Sequence, residues 1–454
     1  MQFARWCLTS VIFLVGLPLL HLGNSEAAEL WVGAATTSIT PDEPVALAGQ
    51  RHTRIAREVE SPVLAVALAL ESRNGEDSVE QSILISCDLI AIRGGVIEGV
   101  RERLAERLPE FDAQKLVLSA THTHTGPVLR EGRYEIPDDA MQPSEYVEFL
   151  VDRLVEVAAE AWQSRGPSKV SWGLGHAVVA HNRRAIFADG TAIMYADTSR
   201  ADFQGIEGYE DQGTEVLIFW DRDDRLLATA INVAVPSQEV EMRSAINADF
   251  WHEVREMLRE RHGEDLHVLG WTGASGDNSP RPMFRRAAED RMRNLRGLTR
   301  LEEVARRIVN AWEEVYEAVR QDIHEEVVHA HYVEQVELPR RREAGEDAET
   351  QRPPFEMELH VIRLGDVAIA TNVFELFTDF GVRIKGRSPA LQTFIIQLAG
   401  PGSYLPTERA VRGGGYSAER FQVGPEGGQV LVDKTVETIE ALWKETNVDE
   451  SPRP

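Results

Sequence analysis

Leu116–Pro127 reads LVLSATHTHTGP. Leu116, Val117, Leu118 and Ala120 have the apolar, β-prone character of a buried strand, and the run stops at Gly126-Pro127. Between strand and stop lie His122 and His124. On an extended chain residues i and i+2 face the same way, so the two imidazoles are expected to project together from the strand's end. Imidazole is the commonest metal-binding side chain and the one that titrates near neutrality. Two polar residues in a turn is the plainer reading of an isolated H-x-H. Its place at a strand end, where α/β proteins collect functional groups, favours a site.

Upstream, ELWVGAATTSITPDE reads as a strand ending in a turn, and VLAVALALES and QSILISCDLI as two apolar strands joined by a short connection, RNGEDSVE. VIEGVRERLAERL has helical spacing. This strand–helix–strand order predicts an α/β layer architecture: mixed β-sheets flanked by helices. Downstream, SEYVEFLVDRLVEVAAEAWQSRG predicts a long amphipathic helix with Ser144 as N-cap. Strands are expected at KVSWGLGHAVV, TEVLIFWD, RLLATAINVAV and LHVLGWTG, and helices from about Asp249 to Arg261 and over LEEVARRIVNAWEEVYEAV. Strand patterns dominate from Glu325 onward, before a last helix near Val430 to Trp443. RREAGEDAETQRPP, residues 341 to 354, is charged and patternless and reads as an exposed loop. No linker separates halves with independent cores, so a single large domain is expected.

The chain begins as a secretory signal would. Arg5 precedes LTSVIFLVGLPLL, and Ser25 and Ala27 stand at small-residue cleavage positions. Residues 1–27 are therefore read as a signal peptide, 28–446 as the domain and 447–454 as a polar tail, giving a secreted or periplasmic protein. That leaves Cys87 as the lone cysteine, which excludes an intramolecular disulfide framework; in ILISCDLI it reads as a small core residue. With 43% hydrophobic and 27% charged residues the chain can build a sizeable core. A formal charge of −26 speaks against nucleic acid as a partner. The basic run from Arg281 to Arg300 alternates with acids and reads as solvated helix faces.

Four further stretches carry chemistry. In GWTGASGDNSPRP Gly273 and Gly276 allow close backbone approach, and Ser279 is presented before Pro280. AHNRRAIFADG places Asn182, Arg183 and Arg184 just after a strand; an arginine fork there can orient a carbonyl, although taken alone the stretch reads as surface charge. FELFTDFG puts Glu375 at the end of an apolar strand, where a carboxylate can bind zinc or act as base. GPGSYLPTERAVRGGGYSAERF carries Tyr404 and, in a glycine-rich loop free to reach a site, Tyr416.

Together these stretches resemble the neutral/alkaline, non-lysosomal ceramidase family in its N-terminal catalytic domain. SATHTHTGP, HNRR, GDNSP, FELFT and the Tyr404/Tyr416 pair occur in the family's order, with its spacing between the tyrosines. The resemblance spans roughly residues 30 to 440, and the β-sandwich domain that follows in long ceramidases is expected to be missing. It implies a ceramidase N-terminal-domain-like fold and a Zn2+ ion held by His122, Glu375 and Tyr404. It further implies His124 as substrate-side acid/base, Arg183 near the scissile group, Tyr416 steadying the oxyanion and Ser279 contacting substrate. The family takes another zinc histidine from a segment resembling N-x-x-x-H-P-x-S; here NVAVPSQEVEMRSAINAD, from Asn232 to Asp249, has none. Gln238, Glu239, Glu241 or His252 is the candidate replacement.

The expected function is zinc-dependent hydrolysis of an N-acyl amide, a small amphipathic substrate such as ceramide, with transient membrane-surface contact. Two alternatives stand beside it. One is a different metal-dependent hydrolase of the barrel type, which needs regular βα repeats. The other is an exported, non-catalytic binding protein.

Overall fold

The structure, a computed structural model, describes residues 26–341 and 352–444. The proposed signal peptide, most of the charged segment 341–354 and the polar tail lie outside the described residues. The principal elements are β1 (Ala28–Ser38), β2 (Leu64–Asn74), β3 (Asp77–Cys87), α1 (Val96–Arg107), β4 (Leu116–Ala120), α2 (Pro143–Gln163), β5 (Gly166–His176), β6 (Gly213–Asp221), β7 (Leu226–Val233), α3 (Phe250–His262) and β8 (His267–Thr272). They continue with α4 (Arg286–Leu295), α5 (Arg300–Val319), β9 (His329–Leu338), β10 (Phe355–Leu364), β11 (Val367–Thr371), α6 (Thr378–Arg387), β12 (Gln392–Ile396) and α7 (Pro425–Lys444).

A large sheet runs in the order β8-β7-β6-β5-β1-β2-β3-β4, and a second sheet in the order β9-β10-β11-β12. Hairpins make most neighbours antiparallel, but β3–β4, β7–β8 and β11–β12 are parallel. Each parallel pair is closed by a helical crossover: α1, α3 and α6 respectively. Helices α1 and α2 cover β1–β4 through Val100, Leu104, Leu150 and Leu154, while α3 and α5 cover the other half through Trp251, Val254, Ile308 and Trp312. The inner face of the large sheet packs on the second sheet through Leu68, Leu217, Trp271, Ile362 and Phe394. A single α/β domain with mixed sheets flanked by helices results, and no barrel of regular βα units.

Most expected elements are present. The connection after Asn74 is a tight hairpin whose Gly75 takes a φ of 64°. Cys87 is free and fully buried. Ser144 is not the cap of α2: Gln142 is, in a capping box with Glu145 and with Pro143 in the first turn. Helix α6 has no counterpart among the expectations, because Gly381 and Gly386 dilute its pattern. The last helix begins at Pro425, before the apolar run that marks it in the sequence. Among the described residues no helix is long and apolar enough to cross a membrane.

What matters for function is where the parallel strands end. Thr272 Oγ1 of β8 donates to the Ala120 carbonyl of β4 (3.4 Å), and Gln397 N, just past β12, donates to the Thr272 carbonyl (3.0 Å). Ser237 N, beyond β7, donates to the Thr121 carbonyl (3.2 Å). Four strand ends thus converge, and the residues that follow them meet at one place.

Candidate active site

Past β4 the backbone leaves the extended conformation: His122 has a φ of 68°. A non-glycine residue there is held by its surroundings. Its Nδ1 donates to the Ile90 carbonyl at 2.6 Å, and neighbouring Thr121 Oγ1 donates to Asp88 Oδ1 at 3.2 Å. Asp88 is itself locked by a fully buried ion pair with Arg255 of α3. The two imidazoles do meet, centroids 4.9 Å apart and edge to face. A left-handed kink brings them together, not the alternation of a strand.

His124 is seated from three sides. Arg54 Nη2 donates to its carbonyl at 2.6 Å. Gly49, at a φ of 99°, lies so close that a Cβ would meet the ring at 2.4 Å. The Glu241 carboxylate approaches Nδ1 at 3.3 Å, and the Gln238 amide nitrogen lies 2.8 Å from Nε2. The amide's other end fixes its orientation, because Gln238 Oε1 accepts from Arg183 Nη1 at 2.8 Å. Nε2 of His124 therefore carries the lone pair, and the proton sits on Nδ1 facing Glu241. Burial pushes the His124 pKa down against the opposing pull of Glu241. Burial alone would raise that of Glu241, but the hydrogen bond and charge of His124, with Arg281, bring it lower.

Arg183 is buried and central. Besides Gln238 it donates to Tyr195 Oη (3.1 Å), the Gly276 carbonyl (2.9 Å) and Tyr404 Oη (3.3 Å). Burial disfavours its charge, but Tyr195, Tyr404 and Glu375 outweigh that and hold it as a cation. Tyr195 in turn donates to Ser279 Oγ at 3.2 Å, so Ser279 joins the network one residue removed. Two short ladders set these positions: Asn278–Ser279 pairs with His181–Asn182, and Glu375–Leu376 with Tyr404–Leu405. Asp277 fastens the first ladder, accepting from Asn182 Nδ2 (2.9 Å) and from Thr378 N and Oγ1 (2.9 and 2.8 Å) at the start of α6.

Glu375 faces His122 Nε2 at 3.4 Å. Burial would raise its pKa, but His122, Arg183 and Tyr404 overcome this and hold it at about 2. Burial and the Glu375 charge push the Tyr404 phenol well above its ordinary value, so Tyr404 stays protonated. Tyr416 stands at the rim, half-exposed, its ring edge-on to Tyr404 at 6.0 Å and under the Arg51 guanidinium at 4.9 Å. A cleft of about 550 Å3 opens beside this centre, bordered by Tyr195, Glu239 and Arg281. Neither His122 nor Glu375 lines it.

Compared with solved structures, the chain aligns with neutral ceramidase from Pseudomonas aeruginosa at a TM-score of 0.71 and 16% identity, over 94% of this chain and 76% of that one. This chain has the ceramidase fold. A ceramidase complexed with C2 gives a TM-score of 0.69, also at 16% identity, over 94% of this chain and 77% of that one. No family model matches the sequence, and no curated protein matches it.

On this ceramidase fold the expected zinc centre is not built. Among the described residues no group of three or more His, Cys, Asp or Glu side chains is placed to hold a metal ion. Of the three expected ligands, His122 and Glu375 are turned on each other, and Tyr404 Oη accepts from Arg183 Nη2. At the segment lacking the histidine, Gln238 presents its amide nitrogen, which donates and does not ligate. A fixed guanidinium, Arg183, stands against both Gln238 and Tyr404, and its charge opposes a second cation there. Zn2+ as the cofactor, and with it zinc-dependent hydrolysis, is thereby overturned for the site expected at His122, Glu375 and Tyr404. Of the candidate replacements, Glu239 pairs with Arg300 (3.1 Å) and Glu241 serves His124. His252 sits in the first turn of α3.

The structure gathers His122, His124, Arg183, Glu375 and Tyr404 into one network, reaches Ser279 through Tyr195 and leaves Tyr416 at the mouth. Sequence reading missed Arg54, Tyr195, Asp277 and Glu207. Asp277 lies inside the GDNSP stretch, but nothing there marks its carboxylate as the fastener of a ladder, and Arg54, Tyr195 and Glu207 meet their partners only in the fold. Arg184, first read with Arg183 as surface charge, is wholly buried.

Proposed function

We propose that the chain is an exported hydrolase that cleaves an N-acyl amide, with His124 moving the proton. The supporting observation is the line Glu241–His124–Gln238–Arg183 on a ceramidase fold. Glu241 holds the Nδ1 tautomer, leaving the Nε2 lone pair for a water that takes the place of the Gln238 amide. As the water oxygen attacks the amide carbon, Nε2 accepts its proton; as the C–N bond breaks, Nε2 returns that proton to the leaving amine. Arg183 and Tyr416 are assigned to the carbonyl oxygen, and Ser279 to substrate contact. Exposed Met242 and Val59 lie on the segments that carry Glu241 and pair with Ile246, which suits an amphipathic substrate and transient contact with a membrane surface. The leader-like residues 1–27 support a secreted or periplasmic setting.

The test is turnover of a panel of N-acyl amides of graded acyl length by the wild-type chain and His124→Ala. Loss of about 100- to 10,000-fold in kcat, the usual worth of a proton-transfer group, with substrate affinity kept, is the expected result. A second reading has its own observation. The Gln238 amide caps the very lone pair that catalysis needs, as suits a binding protein. Equal, saturable binding by both proteins with no turnover decides for that reading.

A further inference from the structure

The Arg184–Glu207 pair lies outside the catalytic network, yet both side chains are almost fully buried. Burying a charge pair is costly, and here the fork is spent on more than its partner. Arg184 Nε and Nη2 donate to Glu207 at 2.5 and 3.0 Å. The fork also reaches one stretch of chain: Nη2 shares its two hydrogens between Glu207 and the carbonyls of Ala410 (3.1 Å) and Gly414 (2.8 Å), and Nη1 donates to Ser417 Oγ (3.1 Å). That stretch is the glycine loop bearing Tyr416. Gly413 and Gly415 let it lie flat on the pair. A Cβ at Gly413 would meet Ala192 at 2.8 Å and Glu207 Oε1 at 3.1 Å, and one at Gly415 the Ala192 carbonyl at 2.6 Å. Gly414 and Gly415 also take φ values of 72° and 88°, which favour glycine. The loop is thus docked on a prepared platform and not free.

We infer that Arg184 and Glu207 are positioning residues that fix Tyr416 at the mouth of the site by gripping its loop on both sides, at Gly414 and Ser417. Arg184 and Arg183 are adjacent, so one short segment points one guanidinium into the catalytic network and the next into the loop that closes over it. Movement of the loop is thereby tied to the Arg183 network through a single peptide. The inference rests on the reading of Tyr416 as part of the site, but its first readout needs no activity.

Amide hydrogen exchange is followed over a peptide spanning residues 410–420 in the wild-type chain, in Ser417→Ala and in the double variant Arg184→Met/Glu207→Leu. The double variant removes both charges together, so neither is stranded and the fold is kept. Exchange at least ten-fold faster in this peptide, with peptides from β1–β3 unchanged, is expected. On an N-acyl amide turned over by the wild type, kcat should fall about ten-fold with KM little altered, as for an interaction made in the transition state. Unchanged exchange in the double variant, or acceleration shared equally by all peptides, overturns the inference. Faster loop exchange in a chain that turns over no amide supports the positioning role and refutes the hydrolase reading instead.

Discussion

Gln238 sits between two groups that need opposite ends of its amide: Arg183 takes the oxygen and His124 the nitrogen. Glu241, three residues on, supports the other face of the same ring. Glu241→Gln removes the negative charge that steadies the imidazolium formed during proton transfer. It should lower kcat about 10- to 100-fold on an N-acyl amide, less than loss of the imidazole itself. A kcat within two-fold of wild type would take Glu241 out of the mechanism. With no donor set among the described residues to retain zinc, elemental analysis of the purified chain should find well below one zinc per chain, and a stoichiometric ion would overturn the geometry argued above. His122, His124, Arg183, Glu375 and Tyr404 were all visible in the sequence as candidates, the first four because strand-end position marks such groups and Tyr404 through the family resemblance. Their relations were not. Whether Glu375 faces a metal or an imidazole depends on where His122 is pointed, and the left-handed turn that aims it there has no local signature in the sequence.

At the scale of elements, the turn holding Gly49 and the helix caps give opposite tests. Gly49→Ala places a methyl against the His124 ring at 2.4 Å and in a left-handed conformation. It should cost about 1–3 kcal/mol of stability, the usual range for backbone strain, and displace His124. Urea unfolding and turnover check the two together, and a fully active, equally stable variant would refute the contact. Ser144→Ala should change stability by less than about 0.5 kcal/mol because Ser144 is not a cap. Thr299→Ala should cost about 1 kcal/mol, since Thr299 Oγ1 accepts from Glu302 N at 3.2 Å at the head of α5. The sequence made α2 legible through its apolar spacing, and its start misleading. Serine is a better cap than glutamine by propensity, but Pro143 prefers the first turn and moves the boundary back two residues.

Across the whole molecule, the i/i+2 rule that failed for His122 and His124 holds elsewhere. His329 and His331 lie on strand β9, which is extended, and both rings reach Ser82 Oγ at 2.9 Å. His331 Nε2 continues to His360 Nδ1 (2.9 Å), and His360 Nε2 to Glu358 Oε1 (2.7 Å), so a buried polar chain stitches the second sheet to β3. Nothing in VVHAHYV separates this pair from the other H-x-H, because burial is decided by which sheet lies opposite. Glu80, Glu71 and Lys115 face His329, and Arg101 pairs with Glu358. Burial dominates and lowers the His329 pKa to about 4. An unfolded histidine binds its proton near pH 6.5, so between pH 6.5 and 4 the unfolded chain holds a proton that the folded chain refuses. His329 therefore contributes nothing unfavourable above pH 6.5 and a growing penalty as pH falls to 4, reaching about 3 kcal/mol at 1.36 kcal/mol per unit. Asp249 works the other way: burial raises its pKa to about 7, so its penalty falls as the solution is acidified. The net acid response of the wild type mixes these with other shifted groups, His181 and His267 at about 4 among them, and only a difference isolates His329. In His329→Gln an amide still reaches Ser82 and cannot titrate. Urea unfolding at pH 7, 6, 5 and 4.5 should show the wild type losing stability faster than the variant, the gap widening steadily below pH 6.5. Parallel curves would mean that His329 takes up its proton within the fold and that the histidines between Ser82 and Glu358 are not an acid-sensitive seam.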